Sequence, residues 1–430
     1  MTGPLQLVCK ATGETYDPDI PRWCSETGGL LDLDFTPSID PIQVARRPPT
    51  LWRYREAIPI PLHAMPVSLG EGITPLVEVM IGGKPVLIKQ DHLFPTGSYK
   101  DRGAAVMVSK MLQLGVRQAV EDSSGNAGCS VAAYCARAGI ACDIFVPETT
   151  SSSKLIQMEY YGAAVHRIPG TREDTARAAL TSARRSYYAS HTWNPWFLHG
   201  TKTFAYEVAE QLGWKAPDTI VLPVGNGTLL LGASIGFGEL FRMGVITRLP
   251  RIIGVQAEAC APLARLFVEG GTTFADIPSR PTIAEGIAIA EPVRWRQILE
   301  AVRSTGGEII AVSDDEIRAA LLDLGRKGFF VEPTAGAAIA GVAHQTGKAG
   351  GNDEVVVSVF SGAGLKAAVA MDALIHPRGQ RKPGGRSGEP VQKVTGECVP
   401  GHILFHLILY IKNWRRNTQF TSSRSSVTFS

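Results

Sequence analysis

Phe94-Pro95-Thr96-Gly97-Ser98-Tyr99-Lys100-Asp101-Arg102-Gly103 carries one lysine out of a turn and straight into the start of a helix. Pro95 and Gly97 mark the turn, Ser98 offers a hydroxyl at the N-cap, and Met107, Met111 and Leu114 recur at helical spacing. Unpaired backbone N–H groups in a first helical turn favour the neutral, nucleophilic amine of a lysine held there, the form that makes a Schiff base. A solvated lysine on an ordinary helix is the competing reading, and the rest of the chain decides between them.

Upstream, Gly70 to Leu76 reads as a turn and Pro85-Val86-Leu87-Ile88 as a short apolar strand leading to Lys100. Downstream, Cys142–Val146, Thr219–Pro223, Ile252–Val255 and Val355–Phe360 are continuous apolar runs separated by helical patterns. Such runs fit strands buried on both faces, which predicts an α/β fold with open, mainly parallel sheets flanked by helices. Ser313 and Glu316 make a capping box ahead of Ile317, Leu321 and Leu324 on one helical face. No repeat of fixed period is present.

Three strand–turn–helix junctions are built for anions or polar ligands. Pro223-Val224-Gly225-Asn226-Gly227-Thr228 opens a helix with small residues that let backbone N–H groups close around a phosphate. It lacks the lysine of a Walker loop and the glycine spacing of a dinucleotide fingerprint. Ser123-Ser124-Gly125-Asn126-Ala127-Gly128 places an amide before a helix predicted over Ser130 to Ala138, where Asn126 caps or contacts a ligand. Ser361-Gly362-Ala363-Gly364 follows a buried strand, at the carboxyl end where open α/β sheets take ligands. Each turn alone reads equally well as a plain connection.

Pyridoxal phosphate makes sense of these junctions together with a helix-terminal lysine: it needs an amine for its aldehyde, a cup for its phosphate, and groups at its ring hydroxyl and ring nitrogen. From about Gly70 to Lys366 the sequence resembles the fold-type II pyridoxal-phosphate enzymes, and within them the threonine synthase family. The resemblance implies Lys100 as the Schiff-base and catalytic residue, with Asn126 at the ring hydroxyl. It further implies Gly225, Asn226, Gly227 and Thr228 at the cofactor phosphate, and Ser361 at the pyridine nitrogen. A hydroxyl there, unlike a carboxylate, does not hold the ring protonated, which favours elimination or replacement over transamination. Asn194-Pro195 to Lys202-Thr203 is similar to a family segment that faces substrate, with His199 and Thr201 as departures, and implies Asn194 as a substrate contact. Ser98, Ser123, and Ser153 with Lys154 in a hydroxyl-rich helix start complete the expected substrate set. Ala284-Glu285-Gly286 is similar to a loop beside the active site. Ala127 and Gly128 stand where the family has threonine after Ser-Gly-Asn, which removes a hydroxyl near the substrate.

The implied activity is conversion of O-phosphohomoserine and water to threonine and phosphate. A related lyase acting on another amino acid, through dehydration, ammonia loss or β-replacement, is the alternative that Ala127 favours. A non-catalytic ligand-binding relative is the reading from a different class.

The implied architecture has two domains. Residues 41–92 and 196–376 form a large cofactor-binding domain and 93–195 a small substrate domain. Residues 1–40 look like a degenerate zinc ribbon, in which Cys9 and Cys24 each lack the second cysteine of a C-x-x-C pair, so no metal is expected. From Pro37 to Pro66 a proline-, arginine- and aromatic-rich arm packs over the body. Residues 377–430 read as a Gly- and Arg-rich linker and a tail, whose apolar run Ile403 to Ile411 is too short to cross a bilayer.

With 430 residues and 44% hydrophobic content the chain can bury a substantial core. Forty-three basic against forty acidic residues give +3, too balanced to point to nucleic acid or a membrane surface. Seven cysteines, an odd number in apolar contexts, read as reduced core thiols. No leader pattern follows Met1, so a cytoplasmic enzyme is expected, acting on a small amino acid, with a homodimer implied by the resemblance.

Overall fold

A computed structural model of the chain describes residues 5–376, apart from 151, 272, 275–276, 278 and 348–353. The expected linker and tail lie outside the described residues. Strands β1 (Gln6–Val8), β2 (Thr15–Tyr16) and β3 (Asp32–Asp34) form a small antiparallel sheet in the order β2-β1-β3. Leu7, Cys9 and Leu31 make its own apolar cluster. Among the described residues no three His, Cys, Asp or Glu side chains gather to hold a metal ion. The fully buried Arg294 fastens this sheet to the body: its guanidinium donates to Asp32 (2.8 Å), the Leu31 carbonyl (2.9 Å) and the carbonyls of Thr192 and Trp193.

The arm follows as a short helix Pro41–Ala45 and a 3₁₀ segment Leu51–Ala57, whose Leu51, Trp52 and Tyr54 are buried. Beyond it, β4 (Leu76–Ile81) and β5 (Lys84–Lys89) form a hairpin through Gly82 and Gly83, both at positive φ (57° and 79°), the geometry of a two-residue turn that matches strand twist. Strands β6 (Gln118–Glu121), β7 (Ala141–Pro147), β8 (Ala164–Ile168) and β9 (Tyr187–Tyr188) make an all-parallel sheet ordered β8-β7-β6-β9. Strands β10 (Thr219–Pro223), β11 (Arg251–Ala257), β12 (Glu308–Val312) and β13 (Val356–Val359) join the hairpin in a six-stranded sheet ordered β12-β11-β10-β13-β5-β4. Only its edge pair β4–β5 is antiparallel. The fold is thus α/β with mainly parallel sheets flanked by helices. Every residue of β10 is buried, which is why this strand reads as an unbroken apolar run. Among the described residues no helix is long and apolar enough to cross a membrane.

Local expectations hold in part. The Ser313–Glu316 capping box is present at the head of the Asp314–Arg326 helix. The helix after the second turn starts at Asn126, four residues ahead of the predicted Ser130. Ser98 does not cap: the Lys100–Gln113 helix begins beyond it, and the Ser98 hydroxyl is buried without a partner. Asp101 closes that turn instead, accepting from the Thr96 N–H (2.8 Å), the Thr96 hydroxyl and the Ser130 hydroxyl. A carboxylate one residue inside the helix reaches back over the turn more effectively than a serine ahead of it.

Two features hold the lysine helix in place. Arg102, fully buried, pairs with Asp91 (2.8 Å) and Glu207 (2.6 Å), and Glu207 also takes Lys89 (2.7 Å). Two cations and two anions compensate one another, without which any one buried charge would cost several kcal/mol. Burial acts to raise the Glu207 carboxyl, but Arg102 and Lys89 override it and hold it down at about 2. The second feature is steric: at Gly200 an added Cβ would lie 2.1 Å from the Arg102 carbonyl oxygen, and at Gly103 one would lie 2.3 Å from the Phe197 ring. The Lys100–Gln113 and Pro195–Thr201 helices therefore cross at backbone contact.

Candidate active site

Lys100 stands at the wall of a cavity of about 500 Å³ lined by the turns 123–127 and 225–227, the 3₁₀ turn Glu285–Ile287, Glu332–Thr334 and Lys366. Its Nζ donates to Thr228 Oγ1 at 3.0 Å, and the Tyr99 hydroxyl pairs with the same oxygen at 3.1 Å. The ammonium lies 4.8 Å from the Tyr99 ring centroid and 5.6 Å from that of Phe197. Two aromatic faces and one hydroxyl leave Nζ with few alternative positions.

The turn at 225–228 needs its glycines. Gly227 sits at φ 73° with no room for a Cβ, which would fall 2.3 Å from Ile298, and a Cβ on Gly225 would lie 2.9 Å from the Ile287 Cα. The Thr228–Arg242 helix begins directly after, so its first N–H groups are free to bind an anion.

The lysine turn is stitched to the Ser361 turn by backbone. Tyr99 donates its N–H to the Ser361 carbonyl (3.0 Å), Ala363 donates to Gly97 (2.9 Å), and Ser98 and Gly362 form an antiparallel bridge. The Ser361 hydroxyl is buried and donates to Glu332 Oε1 at 3.0 Å. Asn126 donates Nδ2–H to the other carboxylate oxygen, Glu332 Oε2, at 2.8 Å, while Asn126 Oδ1 is buried with no partner. An acceptor orphaned in this way costs free energy unless a ligand satisfies it.

Of the expected substrate residues, Ser123 and Lys154 line the cavity. Lys154 Nζ stands 3.7 Å from Glu285. The side chain of Ser153 lies outside the described residues. Ser98 and Asn194 are fully buried and do not line it. Asn194 is consumed as a helix cap, accepting from the Trp196 N–H (3.1 Å) and donating to the Tyr187 hydroxyl (2.8 Å). The Asn-Pro that suggested a substrate contact is also the Ncap–N1 signature of a helix start, and that role wins here.

Glu332, His191, Arg172 and Lys366 are among the lining residues that escaped sequence reading. Glu332 precedes Pro333 at a helix start, the one local signal that could have marked it. His191 Nδ1 pairs with Glu121 Oε1 (2.8 Å), and Asn226 Nδ2 meets Nε2 (3.4 Å). Burial, followed by Asp122, holds the Glu121 carboxyl well above its usual range, and burial, followed by Lys100, holds His191 well below its own. Both shifts favour the uncharged forms of this hydrogen-bonded pair beside the glycine turn.

Residues 67–362 match the family model described as pyridoxal-phosphate dependent enzyme. A threonine synthase of Methanocaldococcus jannaschii is 36% identical over 372 residues, 83% of this chain and 92% of the relative. The threonine synthase of Methanosarcina acetivorans is 35% identical over 373 residues, 84% and 92% of the two chains. This chain belongs to the threonine synthase family. It is a pyridoxal-phosphate-dependent lyase of that type, and its fold is that of the fold-type II enzymes. A fungal L-serine ammonia-lyase from Rhizomucor miehei has a similar fold, with TM-score 0.63 and 22% identity over 72% of this chain and 99% of that one.

The site fits the cofactor of the threonine synthase family. A lysine amine, a glycine turn at a helix start and an orphaned amide oxygen converge on one cavity, and the buried Ser361 hydroxyl, itself not a lining residue, is joined to it through Glu332.

Proposed function

We propose that the chain converts O-phosphohomoserine and water to threonine and phosphate, by elimination of phosphate from Cγ and addition of water at Cβ. The observation that carries this reading is the set of cations on the cavity wall: besides Lys100 it is lined by Lys154, Arg172 and Lys366, which outnumber the lining carboxylates Glu285, Asp314 and Glu332 and suit an amino acid bearing a phosphate. When bound, pyridoxal phosphate supplies a carbonyl that takes up the substrate amine and a ring that spreads the negative charge left at Cα.

In this proposal Lys100 anchors the cofactor and then moves protons. It takes one from Cα and one from Cβ as phosphate leaves Cγ, protons return to Cγ and Cα, and water places its hydroxyl on Cβ. Thr228 Oγ1, 3.0 Å from Nζ, keeps the amine aimed when it is not bonded to the cofactor. The N–H groups of Gly225 to Thr228 bind the cofactor phosphate, Asn126 meets the ring hydroxyl and Ser361 the ring nitrogen. Ser123 and Lys154 contact the substrate. Asn194 drops out of the proposed set because its side-chain amide is spent on the Trp196 N–H and the Tyr187 hydroxyl. The six-stranded sheet belongs to the proposed large domain and the four-stranded sheet to the small one, and the cytoplasmic homodimer implied by the resemblance is part of the same reading.

Ala127 favours a second reading, a lyase of this family acting on a different amino acid. It lines the cavity, almost wholly buried, where the family pattern has a hydroxyl. One experiment separates the two. The purified protein is expected to show a visible cofactor band that Lys100→Ala abolishes, and to release both phosphate and threonine from O-phosphohomoserine. A cofactor band without phosphate release overturns the first reading in favour of the second.

A further inference from the structure

His191 stands on the cavity wall with the fully buried Glu121 behind it, and the proposed roles of Lys100 use neither. Glu121, the last residue of β6, holds the histidine twice: Oε2 accepts the His191 backbone N–H at 3.2 Å, and Oε1 pairs with ring Nδ1 at 2.8 Å. No lysine or arginine pairs with Glu121 among the described residues. The imidazole turns its other edge to the cavity, where Nε2 meets Asn226 at a loose 3.4 Å. The Phe197 ring lies 5.8 Å from the His191 ring and 5.6 Å from Lys100 Nζ, so one aromatic side chain borders both groups.

Of the lining cations, Lys100 is on Thr228, Lys154 stands by Glu285, and Lys366 is on Gln157 and the Thr96 carbonyl. Arg172 lines the same cavity with no hydrogen bond or ion pair among the described residues, which leaves it open to an anion. Burial, then Asp122 and Cys142, push Glu121 toward its protonated form, while burial, then Lys100 and Arg172, push His191 toward its neutral one. With Oε2 taken by the backbone N–H, a protonated Glu121 donates from Oε1 to Nδ1. The one hydrogen of the neutral ring then sits on Nε2, at the cavity edge. A half-turn of the Asn226 amide, whose oxygen has no other hydrogen bond among the described residues, accommodates that tautomer.

We propose that the Glu121–His191 pair is a second acid and base of the site, which gives the departing phosphate its proton and recovers one from water. The proposal rests on O-phosphohomoserine as the substrate, and it completes the proton balance of that reaction. Lys100 takes protons from Cα and Cβ, and the same number return to Cγ and Cα. Water must still lose a proton, and the phosphate must gain one to depart as hydrogen phosphate. As the Cγ–O bond breaks and its electron pair stays on oxygen, that oxygen takes the Nε2 proton while the Glu121 proton moves to Nδ1. When the water oxygen bonds to Cβ, its proton goes to Nε2 and the Nδ1 proton returns to Glu121. Arg172 holds the phosphate beside the imidazole. His191 is in this account a catalytic residue, and Glu121 a positioning residue that keeps a proton behind it.

Nitrogen NMR of the holoenzyme carrying ¹⁵N-labelled histidine, without substrate, is expected to show the His191 ring neutral with its hydrogen on Nε2, the signal being assigned by its loss in His191→Gln. Hydrogen on Nδ1 in the wild type overturns the proposal. In Glu121→Gln an amide donates to Nδ1 in place of the acid. The tautomer and the KM for O-phosphohomoserine are therefore expected to persist while kcat for phosphate release falls by about 100-fold or more. His191→Gln is expected to lose kcat to a similar extent. In both variants deuterium from heavy water should still enter Cα of the recovered O-phosphohomoserine, because Lys100 is intact. Wild-type phosphate release in either variant overturns the proposal. So does a His191→Gln enzyme whose only defect is weaker cofactor affinity, since that assigns the imidazole to the cofactor phosphate. A wild-type enzyme that exchanges Cα of O-phosphohomoserine but releases no phosphate fails in a different way: the substrate reading falls, and this proposal with it.

Discussion

Gly200→Ala places one methyl group where the fold has no space for it, and its effect propagates to the catalytic lysine. The new Cβ would stand 2.1 Å from the Arg102 carbonyl oxygen, 2.7 Å from the Gly103 Cα and 2.8 Å from the Arg102 carbonyl carbon. All three are backbone atoms, so no side chain can rotate away. Relief requires the Lys100–Gln113 and Pro195–Thr201 helices to separate by roughly 1 Å, since carbon–carbon contacts settle near 3.5–4.0 Å. Overpacking of this kind costs about 1–3 kcal/mol, and backbone contact puts this case at or above the top of that range. The displacement also has a direction. Thr201 Oγ1 donates to the Thr228 carbonyl at 3.0 Å, so the Pro195–Thr201 helix carries Thr228 with it while Lys100 stays with its own helix. The 3.0 Å contact between Lys100 Nζ and Thr228 Oγ1 lies across the widening gap. Equilibrium urea unfolding monitored by circular dichroism should report a loss of about 3 kcal/mol, and cofactor titration followed by absorption should report at least a tenfold weaker affinity. Gly238→Ala is the control: it lies within the Thr228–Arg242 helix with nothing within 4 Å of a new Cβ, and the better helix former should leave stability unchanged or raise it by up to about 1 kcal/mol. Native stability and native cofactor affinity in Gly200→Ala would refute the claim that this crossing positions Lys100.

Two further outcomes follow from the buried charges. Glu207→Gln leaves Arg102 and Lys89 short of an anion and should cost about 3–5 kcal/mol by urea unfolding. Because Glu207 is held at about 2, below its ordinary 4.5, its contribution is complete above pH 4.5 and is lost as pH falls toward 2, and the variant should show a shallower acid limb there. Asp101 works in the opposite sense. Burial pushes its carboxyl from 3.8 up to about 6 against the Ser130 and Thr96 hydrogen bonds, so the stability it contributes is present below pH 3.8 and lost as pH rises through 6. That span corresponds to about 3 kcal/mol. Asp101→Asn should flatten the stability profile across it, and an unchanged slope in that window would show that the carboxyl titrates normally.

Much of the fold and part of the site were legible in the chain itself, because the relevant signals are local. Thr219–Pro223 reads as a buried strand since a strand covered on both faces needs no polar alternation, and the structure gives it those bounds. Gly227 stands at positive φ where a side chain would be strained, a demand visible in Gly225-Asn226-Gly227. Lys100 opens its helix as the Pro95–Gly97 turn suggests. The edge strand β4 was missed because its partner lies across a Gly-Gly turn whose strand pattern is only partly apolar.

What the sequence by itself determined, then, is what neighbouring residues impose on one another: strands, turns, helix starts and the lysine at one of them. Only the tertiary structure decided which of those turns meet. Glu332 lies 29 residues from Ser361 and 206 from Asn126, and no periodicity or spacing links them. Asn194 looked like a ligand contact and is spent as a cap with Tyr187, while His191 looked like nothing and faces the cavity on Glu121. Whether a polar side chain serves a ligand or the fold depends on what is left unpaired around it once the chain has closed, and those partners come from strands and helices that the local sequence does not contain.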